Sequence, residues 1–234
     1  MTNKTMQFLF GDRELLLKVG DLLSAPTEVI VNPTNTGLSH GGGLAGQILH
    51  HAGDELQAES DQFIREHGEL ESGMAVYTTA GRLPYKAVIH AVGPKMGEGD
   101  EQFKIEQAVS RSLKLCEINE WQSIAFPAIS TGIFSVPVET CARGFFRAIT
   151  SFWDARMETS PEKIILCLKQ EDFHYFFDAF RDEAIDDNTA SPEDMVAAAA
   201  FENNDESEPE TGYVDLSNED LSGSDDDEVN DWFK

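Results

Sequence analysis

Over the first 181 residues, apolar positions switch repeatedly between the dense runs of buried strands and the three-to-four-residue spacing of helices. Residues 6–10 (MQFLF) and 14–19 (ELLLKV) read as short strands joined at Gly11-Asp12. Val29-Ile30-Val31 is β-branched throughout and reads as a buried strand ending at Asn32-Pro33. A loop rich in Asn, Thr, Ser and Gly follows, up to Gly43. From Leu44 the spacing becomes helical through Ile48, Leu49, Leu56 and Phe63-Ile64, and stops before Gly68. Residues 74–79 and 87–92 read as strands. Residues 102–120 predict an amphipathic helix with Ile105, Val109, Leu113 and Cys116 on one face. A strand at 123–128 runs into Ile129-Ser130-Thr131-Gly132. Residues 137–153 predict a helix, with Pro137 suited to its first turn. A strand at 163–168 and a closing helix at 171–181 follow, with Phe173, Phe176, Phe177 and Phe180 on the buried side.

After the opening hairpin, strands alternate with helices. That order predicts a three-layer α/β/α sandwich around a mostly parallel or mixed sheet. In such sheets ligands sit beyond the carboxyl ends of strands, near a switch in strand order. Two loops leaving strand ends are unusually rich in small residues, 32–43 and 129–136.

Charge divides the chain. Of its 234 residues, the 53 from Asp182 onward carry 19 acidic side chains and one basic, most of a net charge of −26. Residues 1–182 are expected to form one domain. Residues 183–234 are expected to remain an unordered acidic tail, because isolated Tyr213, Trp232 and Phe233 bury too little surface to offset ordering entropy. Within it, residues 193–201 read as a transient helix. No basic footprint for non-specific nucleic-acid binding is present. No apolar run approaches the ~18 residues of a membrane span, and residues 1–10 lack the apolar core of a secretory signal. Cys116, Cys141 and Cys167 are odd in number and form no CxxC pair, so the expectation is a reduced cytoplasmic or nuclear compartment without disulfides.

Gly41-Gly42-Gly43 stands directly before a predicted helix. Glycines allow close backbone approach, and a helix N-terminus presents unpaired N–H groups with a favourable dipole. The result is either a tight turn or an anion cradle that needs no Lys or Arg. The run is neither a Walker A loop nor a dinucleotide GxGxxG fingerprint. Ser130-Thr131-Gly132-Ile133-Phe134 offers a second run of backbone N–H groups at a strand end. Two such loops facing each other suit a diphosphate. No metal or cofactor site is expected: His50 and His51 diverge by roughly 100° on one helix. Cys141 reads as a small buried hydrophobe.

The stretch VIVNPTNTGLSHGGGLAGQIL from Val29 resembles the first ligand loop of macrodomains with its flanking strand and helix. AVIHAVGP from Ala87, IAFPAISTGIF from Ile124 and Gly20-Asp21-Leu22 match further family motifs in family order, so the resemblance spans residues 5–181. It implies a macrodomain sandwich that binds ADP-ribose or an ADP-ribosylated protein. By the resemblance, Asp21 accepts from the adenine amino group and Leu22 adds a backbone contact. Gly42, Gly43 and Leu44 lie along the diphosphate and distal ribose, and Asn35 holds the distal ribose hydroxyls. Ser130, Thr131, Gly132, Ile133 and Phe134 close over the diphosphate.

The loop pattern is similar to viral and antiviral-type macrodomains, with Ala45 where one hydrolase branch carries Asp and with His40 before the glycines. That similarity implies hydrolysis of mono-ADP-ribosyl esters on Asp or Glu, or of O-acetyl-ADP-ribose, with Asn35 and His40 as the catalytic residues that orient the distal ribose; His40 is alternatively a loop residue bonded to backbone. The alternatives are a non-catalytic reader of ADP-ribosylated proteins and a phosphatase acting on ADP-ribose 1″-phosphate. Leu168 stands where the family often stacks an aromatic residue on adenine. In the tail, Tyr213-Val214-Asp215-Leu216-Ser217, flanked by acids, looks like a SUMO-interaction motif able to add a strand to a partner's sheet edge. A merely solvating acidic tail is the other reading.

Overall fold

A computed structural model describes residues 4–155, 161–186 and 213–215. In chain order the strands are β1 (Thr5–Phe10), β2 (Arg13–Val19), β3 (Val29–Thr34), β4 (Ala75–Thr78), β5 (Ala87–Val92), β6 (Ser123–Pro127), β7 (Lys163–Leu168) and β8 (Tyr213–Asp215). The helices are α1 (Gly43–Ala52), α2 (Asp54–His67), α3 (Glu101–Ile118), α4 (Val138–Asp154) and α5 (Phe173–Asp186). They form one mixed sheet in the order β4-β5-β3-β6-β7-β2-β1-β8. The hairpins β1–β2 and β4–β5 are antiparallel; β5, β3, β6, β7 and β2 are mutually parallel. This is the three-layer sandwich that the strand–helix alternation predicts.

Both faces of the parallel strands are covered, which explains their continuous apolar runs. Val29 and Val31 face the layer of α3, α4 and α5, whereas Ile30 faces α1 and α2. The alternation repeats in β7, where Ile164 and Leu166 face one layer and Ile165 and Cys167 the other. The first layer is aromatic: Phe145 meets Phe126 edge-on at 5.4 Å and Phe176 at 5.9 Å. Each fully buried Phe contributes on the order of 2–3 kcal/mol of transfer free energy.

Four details depart from the sequence expectations. The helix expected from Leu44 to Ile64 is two helices, broken at Gly53, whose φ is +97°. The break is fixed from outside: the Arg82 guanidinium donates to the carbonyls of His50 and His51 at the end of α1 and lies 3.3 Å from where a Cβ on Gly53 would stand. β3 runs on to Thr34 through Pro33. The β3–β6 ladder stops at Ile30–Ala125, so the proline lies beyond the paired part of that side and only the ladder to β5 continues past it. Pro137 caps α4 from outside its first turn. α5 continues to Asp186, past the expected helix end at 181.

Residues 213–215 pair in parallel with β1, Gln7 opposite Tyr213 and Leu9 opposite Asp215. The segment read as able to extend a partner's sheet therefore extends its own. Leu216 and Ser217, the rest of the acidic tail and the helix expected at 193–201 lie outside the described residues.

Candidate functional site

The carboxyl ends of β2, β3, β6 and β7, together with Gly93 just after β5, open into one cleft of about 840 Å³. Adjacent strands lie ~4.8 Å apart, so the three spacings from β3 across β6 and β7 to β2 span roughly 14 Å. An elongated ligand is the natural occupant.

At the β2 end, Asp21 caps the 3-10 turn Leu22–Ser24, one carboxylate oxygen accepting the Leu23 N–H at 3.0 Å. The Tyr85 hydroxyl lies 3.3 Å from the carbonyls of Leu22 and Ala25 and pins the turn from beneath. Leu168, Lys169 and Asp172 complete this end. Burial raises the Asp172 carboxyl above its ordinary pKa, with its charged neighbours as lesser influences.

At the β3 end, Asn35 Oδ1 accepts the Ser39 N–H at 3.0 Å and Asn35 Nδ2 donates to the Ser39 carbonyl at 3.3 Å. The amide thus clamps its own loop, in which wholly buried Leu38 is held at φ +50°. An amide offers four hydrogen-bonding positions, so Asn35 keeps one donor and one acceptor for a ligand. The chain then enters α1 through extended Gly42 and left-handed Gly43, φ +58°. The first-turn N–H groups of α1 have no helical acceptor and carry the positive end of its dipole.

Across the cleft, the loop after β6 is shaped by its own carbonyls. Val136 N–H donates to Ser130 O at 3.0 Å, Ser135 N–H to Gly132 O at 3.0 Å, and Thr131 Oγ1 to Ala128 O at 3.0 Å. Ser130 and Ser135 hold φ +67° and +58°. Among the described residues, none of the N–H groups of Ser130, Thr131, Gly132, Ile133 and Phe134 has an acceptor within the chain. Ile133 reaches back, its Cδ1 3.6 Å from where a Cβ on Gly43 would be, so the two loops meet over the cleft. Strained backbone and unspent donors concentrated here mark a prepared anion site. Buried Thr34 Oγ1 and Ser130 Oγ also lack partners.

Asp21, Leu22, Asn35, Gly42, Gly43, Leu44 and the run from Ser130 to Phe134 all line this one cleft, as do Ala45 and Leu168. His40 does not. Its side chain turns inward and is 1% exposed, stacked on His90 at 4.8 Å. One amide, Asn32 Nδ2, lies 3.0 Å from Nδ1 of both rings. Donating one hydrogen to each ring places both ring protons on Nε2, facing Ser60 Oγ at 3.0 Å from His40 and Thr78 Oγ1 at 2.8 Å from His90. Ser60 and Thr78 then donate onward to Leu56 O and Thr79 O. The chain of donors closes with both rings neutral. His40 is therefore a brace beneath the glycine loop and not a group able to touch a ligand in the cleft.

Burial pushes His40 down to about 4, against a smaller opposing pull from Asp61, and pushes His90 well below its ordinary value. The unfolded chain protonates His40 near 6.5. Its contribution to stability is therefore full above pH 6.5 and is lost as pH falls toward 4. Between pH 7 and 5 that loss is about 2 kcal/mol. Denaturant unfolding should show His40→Gln losing about 2 kcal/mol less than the parent over that interval; equal losses would contradict the neutral-pair assignment.

Several lining residues have no site role in the sequence reading. Gly93 lies within the AVIHAVGP motif, but its part in the site emerges only from the fold: a Cβ there would stand 2.1 Å from Ser130 Oγ and 2.5 Å from Ile129 Cγ2. It lets β5 approach the loop after β6. Lys169 and Asp172 follow β7 in a stretch that reads only as a helix start. Burial raises the thiol pKa of Cys141 and Cys167, to about 12 for Cys167, so both are inert packing groups. Among the described residues, no cluster of His, Cys, Asp and Glu has metal-binding geometry.

The family pattern described as Macro domain matches residues 31–145, which hold both loops. An uncharacterized protein of Sulfolobus acidocaldarius is 47% identical over 56% of this chain and 71% of its own length. A Klebsiella pneumoniae protein named O-acetyl-ADP-ribose deacetylase is 40% identical over 65% of this chain and 88% of its own. A point mutant of an Oceanobacillus iheyensis macrodomain, solved with ADP-ribose, superposes with a TM-score of 0.72 at 27% identity, over 78% of this chain and all of that one. With sheet order, loops and relatives in agreement, the chain belongs to the macrodomain family.

Proposed function

We propose that this chain binds ADP-ribose in the cleft and hydrolyses the ester joining it to Asp or Glu of proteins, or to the acetyl group of O-acetyl-ADP-ribose. The observation that carries this reading is the run of five unspent N–H groups in the loop that shares the cleft with the start of α1 and meets it at Ile133 and Gly43. Between them a diphosphate finds donors from both sides, and fixed backbone dipoles need no reorganisation to meet its charge. Adenine then lies over β2 and β7 against Asp21, Leu22 and Leu168, and the distal ribose over β3 against Asn35. The family relative named as a deacetylase supports the ester chemistry.

The carboxyl groups lining the cleft, Asp21 and Asp172, stand beyond β2 and β7, at the far end from Asn35. Among the described residues, the side chains that line the cleft beside Asn35 include no titratable group. In this reading a water held near the ligand's own phosphate attacks at the distal ribose. On an Asp or Glu ester, the water oxygen bonds to the ribose carbon as that carbon's bond to the carboxylate oxygen breaks, and the departing carboxylate takes up the water's proton, giving ADP-ribose and the free acid; on O-acetyl-ADP-ribose the water adds instead to the acetyl carbonyl, giving ADP-ribose and acetic acid. Asn35 orients the sugar so that the attack is in line; His40 acts only by holding the loop that carries the glycines.

The second reading is a reader without catalysis. Ala45 favours it, because a buried methyl lines the cleft where one hydrolase branch carries an acid. A time course on a protein mono-ADP-ribosylated at Glu or Asp decides between them. Loss of label with the parent and at least tenfold slower loss with Asn35→Ala supports the hydrolase, since positioning groups are worth one or more powers of ten. Retained label together with bound free ADP-ribose supports the reader.

A further inference from the structure

Beside the ribose end of the cleft lies a second cavity of about 410 Å³. The two share Asn35, Gly93 and Phe134 as a common wall. Its other sides are the segment before β4 (Leu70, Glu71, Ser72), the loop after β5 (Lys95, Glu98) and Lys104 in the first turns of α3. Resting on the functional reading above, we propose that this cavity is the acceptor subsite: it takes the polypeptide bearing the ADP-ribosyl group, with Lys95 pairing an acidic side chain next to the modified residue.

Position comes first. If the distal ribose lies against Asn35, whatever is bonded to that ribose must leave the cleft past Asn35 and Phe134. The second cavity is the space directly behind them. It belongs to the same rigid wall, because Met96 N–H donates to Phe134 O at 2.9 Å and ties the loop after β5 to the loop after β6.

Charge comes next. Lys104 Nζ is engaged, donating to Glu98 Oε1 at 3.1 Å, and Glu98 Oε2 accepts the Lys95 N–H at 3.0 Å. Glu98 is thereby held ionised, its pKa lowered by the Lys95 N–H, the Ser72 hydroxyl and Lys104. The Lys95 ammonium is different. It lies 5.6 Å over the Phe134 ring, and among the described residues no carboxylate is within ion-pair reach of it. One uncommitted cation at the mouth of the subsite, in a chain of net charge −26, selects one carboxylate. A polyphosphate strand fits worse, because Glu71 and Glu98 would face its remaining charges.

The rim is also that of a protein contact. Met96 and Ile133, on the two tied loops, are 59% and 81% exposed. Exposed large apolar side chains beside the cavity suit a protein contact.

The test uses the full chain at ~50 mM salt, where surface charge is weakly screened. Four probes are titrated: free ADP-ribose, a poly-ADP-ribose chain, a peptide with ADP-ribose fixed through a non-hydrolysable link and flanked by Asp and Glu, and the same peptide flanked by Ser. The parent should bind the acidic peptide roughly three- to fivefold tighter than the Ser peptide, the scale of one exposed ion pair. Lys95→Glu should erase or reverse that preference and leave free ADP-ribose within about twofold, which also shows that the variant folds. Equal affinity of the parent for both peptides, or an acidic preference that survives in Lys95→Glu, overturns the acceptor subsite while the ADP-ribose reading stands. Tighter binding of a poly-ADP-ribose end than of the acidic peptide overturns it in favour of a polyanion. Failure of the parent to bind free ADP-ribose overturns both readings.

Discussion

Gly132→Glu should abolish ADP-ribose binding, a loss of roughly a hundredfold or more. Gly132 sits in the middle of the five unspent amides, and nothing lies within 4 Å of where its Cβ would be. The larger side chain therefore finds room without disturbing the fold. It brings a carboxylate to the place that the N–H groups prepare for a diphosphate. At ~4 Å and an effective dielectric of about 20, one such like-charge contact costs on the order of 4 kcal/mol. Gly132→Ala adds a methyl in open space and should stay within a few-fold of the parent. Calorimetric titration of both variants checks this. An unchanged affinity in Gly132→Glu would show that the loop after β6 does not face the ligand's charge.

Gly93→Val should lower both stability and affinity, by a different route. Its Cβ would enter Ile129 and Ser130, 2.5 Å and 2.1 Å away. Ile129 is wholly buried, so the overlap cannot be relieved by swinging the side chain into solvent. Overpacking of this kind costs typically 1–3 kcal/mol. The displacement falls on Ser130, the left-handed residue from which the amide run starts, so ADP-ribose affinity should drop at least about tenfold. Replacing Ser130 by Gly in the Gly93→Ala background removes the 2.1 Å contact and relaxes the positive φ. That pair should recover part of the affinity lost by Gly93→Ala alone. Thermal unfolding and ADP-ribose titration of the single and double variants measure it; a Gly93→Val protein that binds like the parent would refute the coupling.

The elements that local spacing controls were legible in the sequence. The α3 stripe of Ile105, Val109, Leu113 and Cys116 and the aromatic face of α5 are buried as their periodicity requires. The two loops were legible because small residues at strand ends have few other uses. What was not legible depends on distant neighbours. Gly53 breaks a helix because Arg82 arrives from elsewhere in the chain to satisfy the carbonyls of His50 and His51. Gly93 stands in a motif that the sequence displays, but why it must be glycine depends on residues almost forty positions away. His40 stands one residue from the glycines, and nothing local tells its ring to turn away from them. That orientation comes from Asn32, which bridges it to His90 across two strands. The structure thus gathers every loop residue named from the sequence except the one whose direction a buried hydrogen-bond network decides.

The most direct test is to follow the backbone N–H signals of a uniformly ¹⁵N-labelled chain as ADP-ribose is added. Saturable shifts concentrated at Gly42, Gly43 and Leu44 and at Ser130, Thr131, Gly132, Ile133 and Phe134 are the predicted result, with those of Thr131 and Gly132 moving downfield as they gain a charged acceptor. Saturable binding that leaves those signals in place, or no binding at all, would contradict a site built from the amides of two facing loops.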